Sequence, residues 1–189
     1  MPIGATDASA NTFNIGNNNT EAMNYYRFME GSNFYYTLAE AFSATTEGTI
    51  KIINDVELSD VATVAHGKNI VLNLNGKNVT GTDMTTTNFS IIDNRGNLTI
   101  TGPGTITLTA QNNNGWERYS AVVANNPGGL LTIDADVTIE HLGGTDMAYG
   151  IDNLTNGKGT SAVTVINGAT VKSPYRAVRQ FLNGTEATN

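Results

Sequence analysis

Apolar and polar residues alternate in short runs along most of this chain, and Gly, Asn and Asp interrupt the runs. Leu72 and Leu74, Leu98 and Ile100, Leu131 and Ile133, and Val163 and Val165 each flank a polar residue. A period of two places one face of an extended strand against a core and the other outward. Each pair also opens a longer phrase. Leu72-Asn-Leu-Asn-Gly-Lys-Asn-Val79 returns as Leu98-Thr-Ile-Thr-Gly-Pro-Gly-Thr-Ile106, Leu131-Thr-Ile-Asp-Ala-Asp-Val-Thr-Ile139 and Val163-Thr-Val-Ile-Asn-Gly-Ala-Thr-Val171, at steps of 26, 33 and 32 residues. A second phrase runs between the first ones. Ser90-Ile-Ile-Asp-Asn94 matches Ala121-Val-Val-Ala-Asn125, Gly150-Ile-Asp-Asn153 and Ala177-Val-Arg-Gln180, at steps of 31, 29 and 27.

Two phrases that keep one period mark a repeat architecture, in which each unit buries its apolar edge by stacking on the next. Each unit carries three short strands, and the corners between them are too short for crossover helices. The spacing predicts an all-β fold, a right-handed single-stranded parallel β-helix, because parallel crossovers take the right hand. Rungs about 4.8 Å apart give four to five rungs a height of roughly 20–25 Å. A β-sandwich of hairpins is the runner-up, but hairpins have no need of matched phrases at this interval.

The expected stack aligns Ile91, Val122, Ile151 and Val178 in one apolar column and Leu74, Ile100, Ile133 and Val165 in another. Thr99, Thr132 and Thr164 are expected on the outer face, and Asn94, Asn125 and Asn153 at one corner. Asp152 and Arg179, one period apart, are expected to pair on the exposed outside.

Residues 1–33 read as a polar, Asn-rich N-terminal arm whose Tyr25, Tyr26 and Phe28 can dock on the body or another chain. Residues 34–189 read as the β-helix, starting with a short strand at Asn33–Tyr36. Thr37-Leu-Ala-Glu40 has the form of a capping box, and Leu38, Ala41 and Phe42 share one face of the helix it would start. That helix, ending near Ala44, is expected to cover the first rung as a lid. Gly48–Ile53 and Val56–Leu58 read as further strands. The repeat phase calls for another strand after Leu182, so the last rung is expected to continue or to be capped by a partner.

Composition narrows the class. Asn, at 25 residues, and Gly, at 20, suit closely spaced turns rather than long helices. A net charge of -7 with no basic cluster argues against nucleic acid. There is no Cys, no run long enough for a membrane span, and no secretory leader in Met1–Ser9.

The order of strand, Thr-Leu-Ala-Glu-Ala-Phe helix, Gly48-Thr-Ile-Lys-Ile-Ile53 and Asn69-Ile-Val-Leu-Asn-Leu-Asn-Gly-Lys-Asn-Val-Thr80 resembles the pectate-lyase-like right-handed β-helix proteins. The likeness covers about residues 34–184 and is nearest to bacterial surface and adhesin repeats and to phage fibres and tailspikes. It implies a fold but no single activity, since the family holds lyases, hydrolases, adhesins and virion fibres.

Chemistry is sparse. Asp134 and Asp136 fall at a corner and read as turn residues before they read as a calcium site. Asp93, Asp152, Arg176 and Arg179 form the best lyase-like cluster and read first as surface charge pairs. His66 and His141 read as solvated or locally bonded. No catalytic residue, metal site or cofactor is assigned. Trp116, Tyr119, Tyr149 and Tyr175 instead offer aromatic faces beside Asn and Glu, suited to a glycan or to a neighbouring subunit. The expectation is a non-catalytic structural or adhesive module, extracellular, on a virion or a bacterial surface. Its expected partners are a glycan or host-surface receptor and further copies of the chain. The alternative is a polysaccharide lyase or glycoside hydrolase of the same fold.

Overall fold

The computed structural model describes residues 25–83, 89–110, 119–143, 147–155, 160–182 and 185–186. Among these residues the fold is all-β apart from one helix. Strands β1 (Phe28–Glu30) and β2 (Asn33–Tyr35) form a hairpin ahead of helix α1 (Leu38–Ala44). The chain then visits three sheets in fixed rotation. The first circuit is β3 (Glu47–Ile52), β4 (Val56–Leu58) and β5 (Ala62–Val64); the second is β6 (Asn69–Asn73), β7 (Lys77–Asp83) and β8 (Phe89–Asn94). The third is β9 (Asn97–Thr101), β10 (Gly104–Ala110) and β11 (Ser120–Asn125), and the fourth is β12 (Leu130–Asp134), β13 (Val137–Leu142) and β14 (Ala148–Asn153). The fifth is β15 (Val163–Asn167), β16 (Thr170–Lys172) and β17 (Arg176–Leu182), followed by β18 (Thr185–Glu186).

Each strand of a circuit pairs in parallel with its counterparts one circuit before and after. The exceptions are antiparallel and sit at the ends: β1 on β3, β2 on β1, and β18 on β17. One core of aliphatic side chains takes residues from all three sheets. Its best-filled file is Ile50, Leu72, Ile100 and Ile133, each fully buried and in direct register. Burying such a side chain stabilises the fold by about 1.5–3 kcal/mol before chain entropy is set against it.

The register corrects several sequence alignments. Leu72 pairs with Ile100 rather than Leu98, and Ile70 pairs with Leu98. Ile70, Leu72 and Leu74 are all buried, so a two-residue slip leaves the pattern unchanged and the sequence cannot choose between them. In the third sheet the file is Ile92, Val123, Ile151 and Val178, with Gly150 level with Val122 and Ile91. Ile91-Ile92 and Val122-Val123 are buried as adjacent pairs, which hides the register in the same way. Gly150 is required there, because a Cβ would lie 2.6 Å from both the Val171 Cγ1 and the Ala177 carbonyl oxygen.

The last circuit slips by one. Leu131 pairs with Thr164 and Ile133 with Ile166, so Val165, not Thr164, continues the outer file of Thr99 and Thr132. A ladder of buried amides sets this register. Asn94 Nδ2 donates to Asn125 Oδ1 at 2.8 Å, and Asn125 Nδ2 donates to Asn153 Oδ1 at 3.0 Å. The same two amide nitrogens also donate across the corner, to the Leu130 carbonyl at 3.2 Å and the Val163 carbonyl at 2.9 Å. Thr164 Oγ1 completes the set by donating to Asn153 Oδ1 at 2.6 Å. Turning Thr164 outward would remove its two bonds to the buried Asn125 and Asn153 amides, at about 0.5–1.5 kcal/mol for each bond lost.

The first circuit is closed by its own chain. Thr37 Oγ1 accepts from the Glu40 N–H at 3.1 Å while Glu40 accepts from the Thr37 N–H at 3.0 Å, the reciprocal cap the sequence foretells. Leu38, Ala41 and Phe42 are buried, and α1 packs on β5. The other end of α1 is held by Lys68, whose ammonium donates to the carbonyls of Phe42, Ser43 and Thr45 at 2.6, 2.7 and 2.8 Å. A cation at a helix C-terminus answers both the unpaired carbonyls and the helix dipole. Phe28, in the segment read as an arm, is buried in β1. Among the described residues no helix is long and apolar enough to cross a membrane.

Lys68→Met keeps the aliphatic stem and removes the three charge-assisted bonds. It should lower unfolding free energy by about 1–2 kcal/mol. Amide exchange should quicken across Leu38–Ala44 and leave β12–β14 unchanged, as read by denaturant titration and hydrogen exchange.

Candidate functional site

The third sheet gathers most of the polar chemistry because its strands carry it at fixed register places. Ser90, Ala121, Tyr149 and Arg176 occupy one place, and Asp93, Ala124, Asp152 and Arg179 another. The charged file thus holds two acids separated by an alanine, followed by an arginine.

Arg179 is the centre of the group. Its Nε donates to Asp152 Oδ1 at 2.7 Å and its Nη2 to Asp152 Oδ2, a two-point fork. Its Nη1 donates to the Tyr149 hydroxyl at 3.2 Å. The guanidinium carbon lies 4.2 Å from the Tyr149 ring centroid, 5.0 Å from that of Phe181 and 5.2 Å from that of Tyr119. Flat, weakly hydrated Arg suits such rings better than a compact ammonium would. The pair is buried, with side-chain exposures of 5% for Arg179 and 0% for Asp152. The sequence names these two as partners but puts them outside in water. The rings of the neighbouring circuits cover them.

The three tyrosines singled out from the sequence are brought together. Tyr149 lies 6.5 Å from Tyr119 and 5.7 Å from Tyr175, the second contact edge to face. Tyr149 is fully buried and its ring is engaged by Arg179 and Tyr175, so it acts as the support of this cluster. Tyr119 and Tyr175 are partly exposed, and the Arg176 guanidinium rests over the Tyr175 ring at 5.1 Å. Trp116 lies outside the described residues. Phe181 was missed in the sequence, because it follows Tyr175 by only six residues and so falls outside the repeat interval that groups Tyr119, Tyr149 and Tyr175.

The remaining candidates are apart from this cluster. Asp93 is paired to Arg95 Nη2 at 2.8 Å in its own corner and to the Asn126 amide of the next circuit. That hydrogen bond and charge raise the Arg95 pKa, against a smaller opposing effect of burial. Asp134 ends β12, and Asp136, at φ 66°, forms the turn that follows. Among the described residues no three His, Cys, Asp or Glu side chains gather as metal ligands do.

One pair was invisible in the sequence. Ser120 Oγ and His141 Nε2 lie 2.8 Å apart, both side chains buried. His141 occupies the place held by Leu108 and Gly81 in earlier circuits, so the bond satisfies two polar groups inside the wall.

The ion pair and the cage make separable contributions. Arg179→Met leaves the buried Asp152 carboxylate without its fork and should cost about 3–5 kcal/mol. The double variant Arg179→Met/Asp152→Leu should recover part of that loss, a coupling that chemical denaturation measures.

Tyr119 is raised above the ordinary phenol value of 10.0, first by burial and then by the Asp152 charge, with Arg179 opposing and Asp93 adding a little. Its neutral form is therefore favoured in the folded state. Stability tied to it is complete below the ordinary phenol value and is lost as pH rises through the raised one. Tyr119→Phe should flatten the fall in melting temperature over that alkaline window, followed together with phenolate absorbance.

The chain matches no protein-family model, no curated protein and no solved structure.

Proposed function

We propose that the chain is a right-handed parallel β-helix of the pectate-lyase-like kind and serves as a non-catalytic scaffold or adhesive module of an extracellular assembly, on a virion or a bacterial surface. One observation carries the reading. The side chains able to do chemistry are turned to holding circuits together: Asp152 grips Arg179, Ser120 meets His141, and the amides of Asn94, Asn125 and Asn153 join one another. A wall whose polar groups are spent on one another is rigid and has a fixed surface. The outward places of the first sheet include Asn69, Asn73, Asn97, Thr99, Thr101 and Thr132, hydrogen-bonding side chains set beside the charged Lys51 and Asp134 and the apolar Val71 and Leu130. Tyr119, Tyr175 and Arg176 supply the ring edges and charge that a glycan or a neighbouring subunit would touch.

Incubation with acidic and neutral polysaccharides in the presence of calcium should release no unsaturated or reducing ends. A glycan array should show binding that Tyr175→Ala weakens several-fold. Appearance of new chain ends, abolished by Asp152→Asn, would replace the scaffold with the lyase or hydrolase reading.

A further inference from the structure

The two ends of the stack are finished differently. At one end the β1–β2 hairpin pairs along β3 and α1 covers β5. At the other, β18 pairs along β17, while β15 is the outermost strand of its sheet among the described residues. Its side chains are unusually bare: Val163 is 53% exposed, Val165 46% and Ile166 42%, and Leu130 beside Val163 is 39% exposed. Ile166 holds the place that is fully buried as Ile50, Leu72, Ile100 and Ile133 in the four earlier circuits. Proteins normally guard such an edge with Lys, Pro or a bulge. Val163-Thr-Val-Ile-Asn167 contains no charge and no proline.

The same chain carries a segment with the form of a strand of this sheet. The register pattern reads as a buried place, an outer place, a buried place, then a polar or small residue: Leu98-Thr-Ile-Thr101, Leu131-Thr-Ile-Asp134 and Thr164-Val-Ile-Asn167. Phe13-Asn-Ile-Gly16, preceded by Thr12, follows it and is likewise uncharged. Laid beside β15 in the same sense, Phe13 falls on Thr164, Asn14 on Val165 and Ile15 on Ile166.

We propose that β15 receives the Thr12–Gly16 segment of a second copy as a further parallel strand, joining copies head to tail. The arm begins at the far end of the molecule: Tyr25 lies 5.9 Å from Tyr36, next to α1, at the end that carries β1 and β2. In a head-to-tail neighbour that end faces the open β15, and the arm is delivered directly to the edge. The residues 17–24 between that segment and Tyr25 span at most roughly 30 Å when extended, enough for a neighbour whose α1 end abuts β15. Backbone bonds would supply affinity, and Phe13 and Ile15 the register, as in strand addition generally. A contact between unlike ends does not close on itself, so it yields a growing row of copies. The inference rests on the stacked-circuit reading of the fold and names the partner of its open end.

Sedimentation of the full chain over a concentration series tests it. The unsubstituted chain should form concentration-dependent oligomers, and Phe13→Asp/Ile15→Asp should remain monomeric, with the circular dichroism spectrum and melting temperature that the unsubstituted chain shows when diluted to monomer. Isotope-labelled double variant mixed with unlabelled unsubstituted chain should show amide shifts centred on Val163–Asn167. A monomeric unsubstituted chain would overturn the proposal, including the case in which its own arm alters the β15 amides. So would oligomers that the double variant leaves intact, or shifts confined to another surface. The circular dichroism and melting data report on the stack itself, so a failed contact remains distinct from a failed fold.

Discussion

The structure depends on register being held from one circuit to the next, and the buried amides of Asn94, Asn125 and Asn153 are what hold it. A parallel ladder alone tolerates a slip of two residues at little cost in hydrophobic contact. Side-chain amides that also reach the Leu130 and Val163 carbonyls remove that freedom, because a slip leaves polar groups stranded in a dry interior. The aliphatic files, the exposed Val163 and Val165, and the meeting of Asp152 with Arg179 all follow from that alignment.

Much of this organisation is legible in the sequence. Alternating aliphatics and a repeat near 30 residues give strands, tight corners and stacking. Thr37 with Glu40, and the one-sided run of Leu38, Ala41 and Phe42, give the lid helix and its start. The asparagine file is legible because one residue type recurs at one place. What is hidden is phase. Ile70, Leu72 and Leu74 offer equivalent alignments, and the adjacent pairs Ile91-Ile92 and Val122-Val123 offer two more. In β15 the alternation of Val163 and Val165 points the wrong way, since a hydrogen-bonding threonine takes the inner place. The first circuit's third strand, Ala62–Val64, is too short to stand out from its loop.

The candidate site is legible as a set of residues and obscure as an environment. Spacing pairs Asp152 with Arg179 and groups Tyr119, Tyr149 and Tyr175. Burial is a property of what lies alongside, and the rings of three circuits converge only after folding. Ser120 and His141 lie on different sheets, so no local pattern links them. Lys68 gave no signal either, because its acceptors are backbone carbonyls 23 to 26 residues earlier.

That Lys68 contact has a temporal side. All of the groups it grips precede it in the chain, and each later circuit rests on the one made before it. During synthesis, the hairpin, the helix and the first circuit can be locked as soon as Lys68 has cleared the ribosome. A finished platform then waits for each newly emerging strand, so the ladder can be extended in the direction of translation.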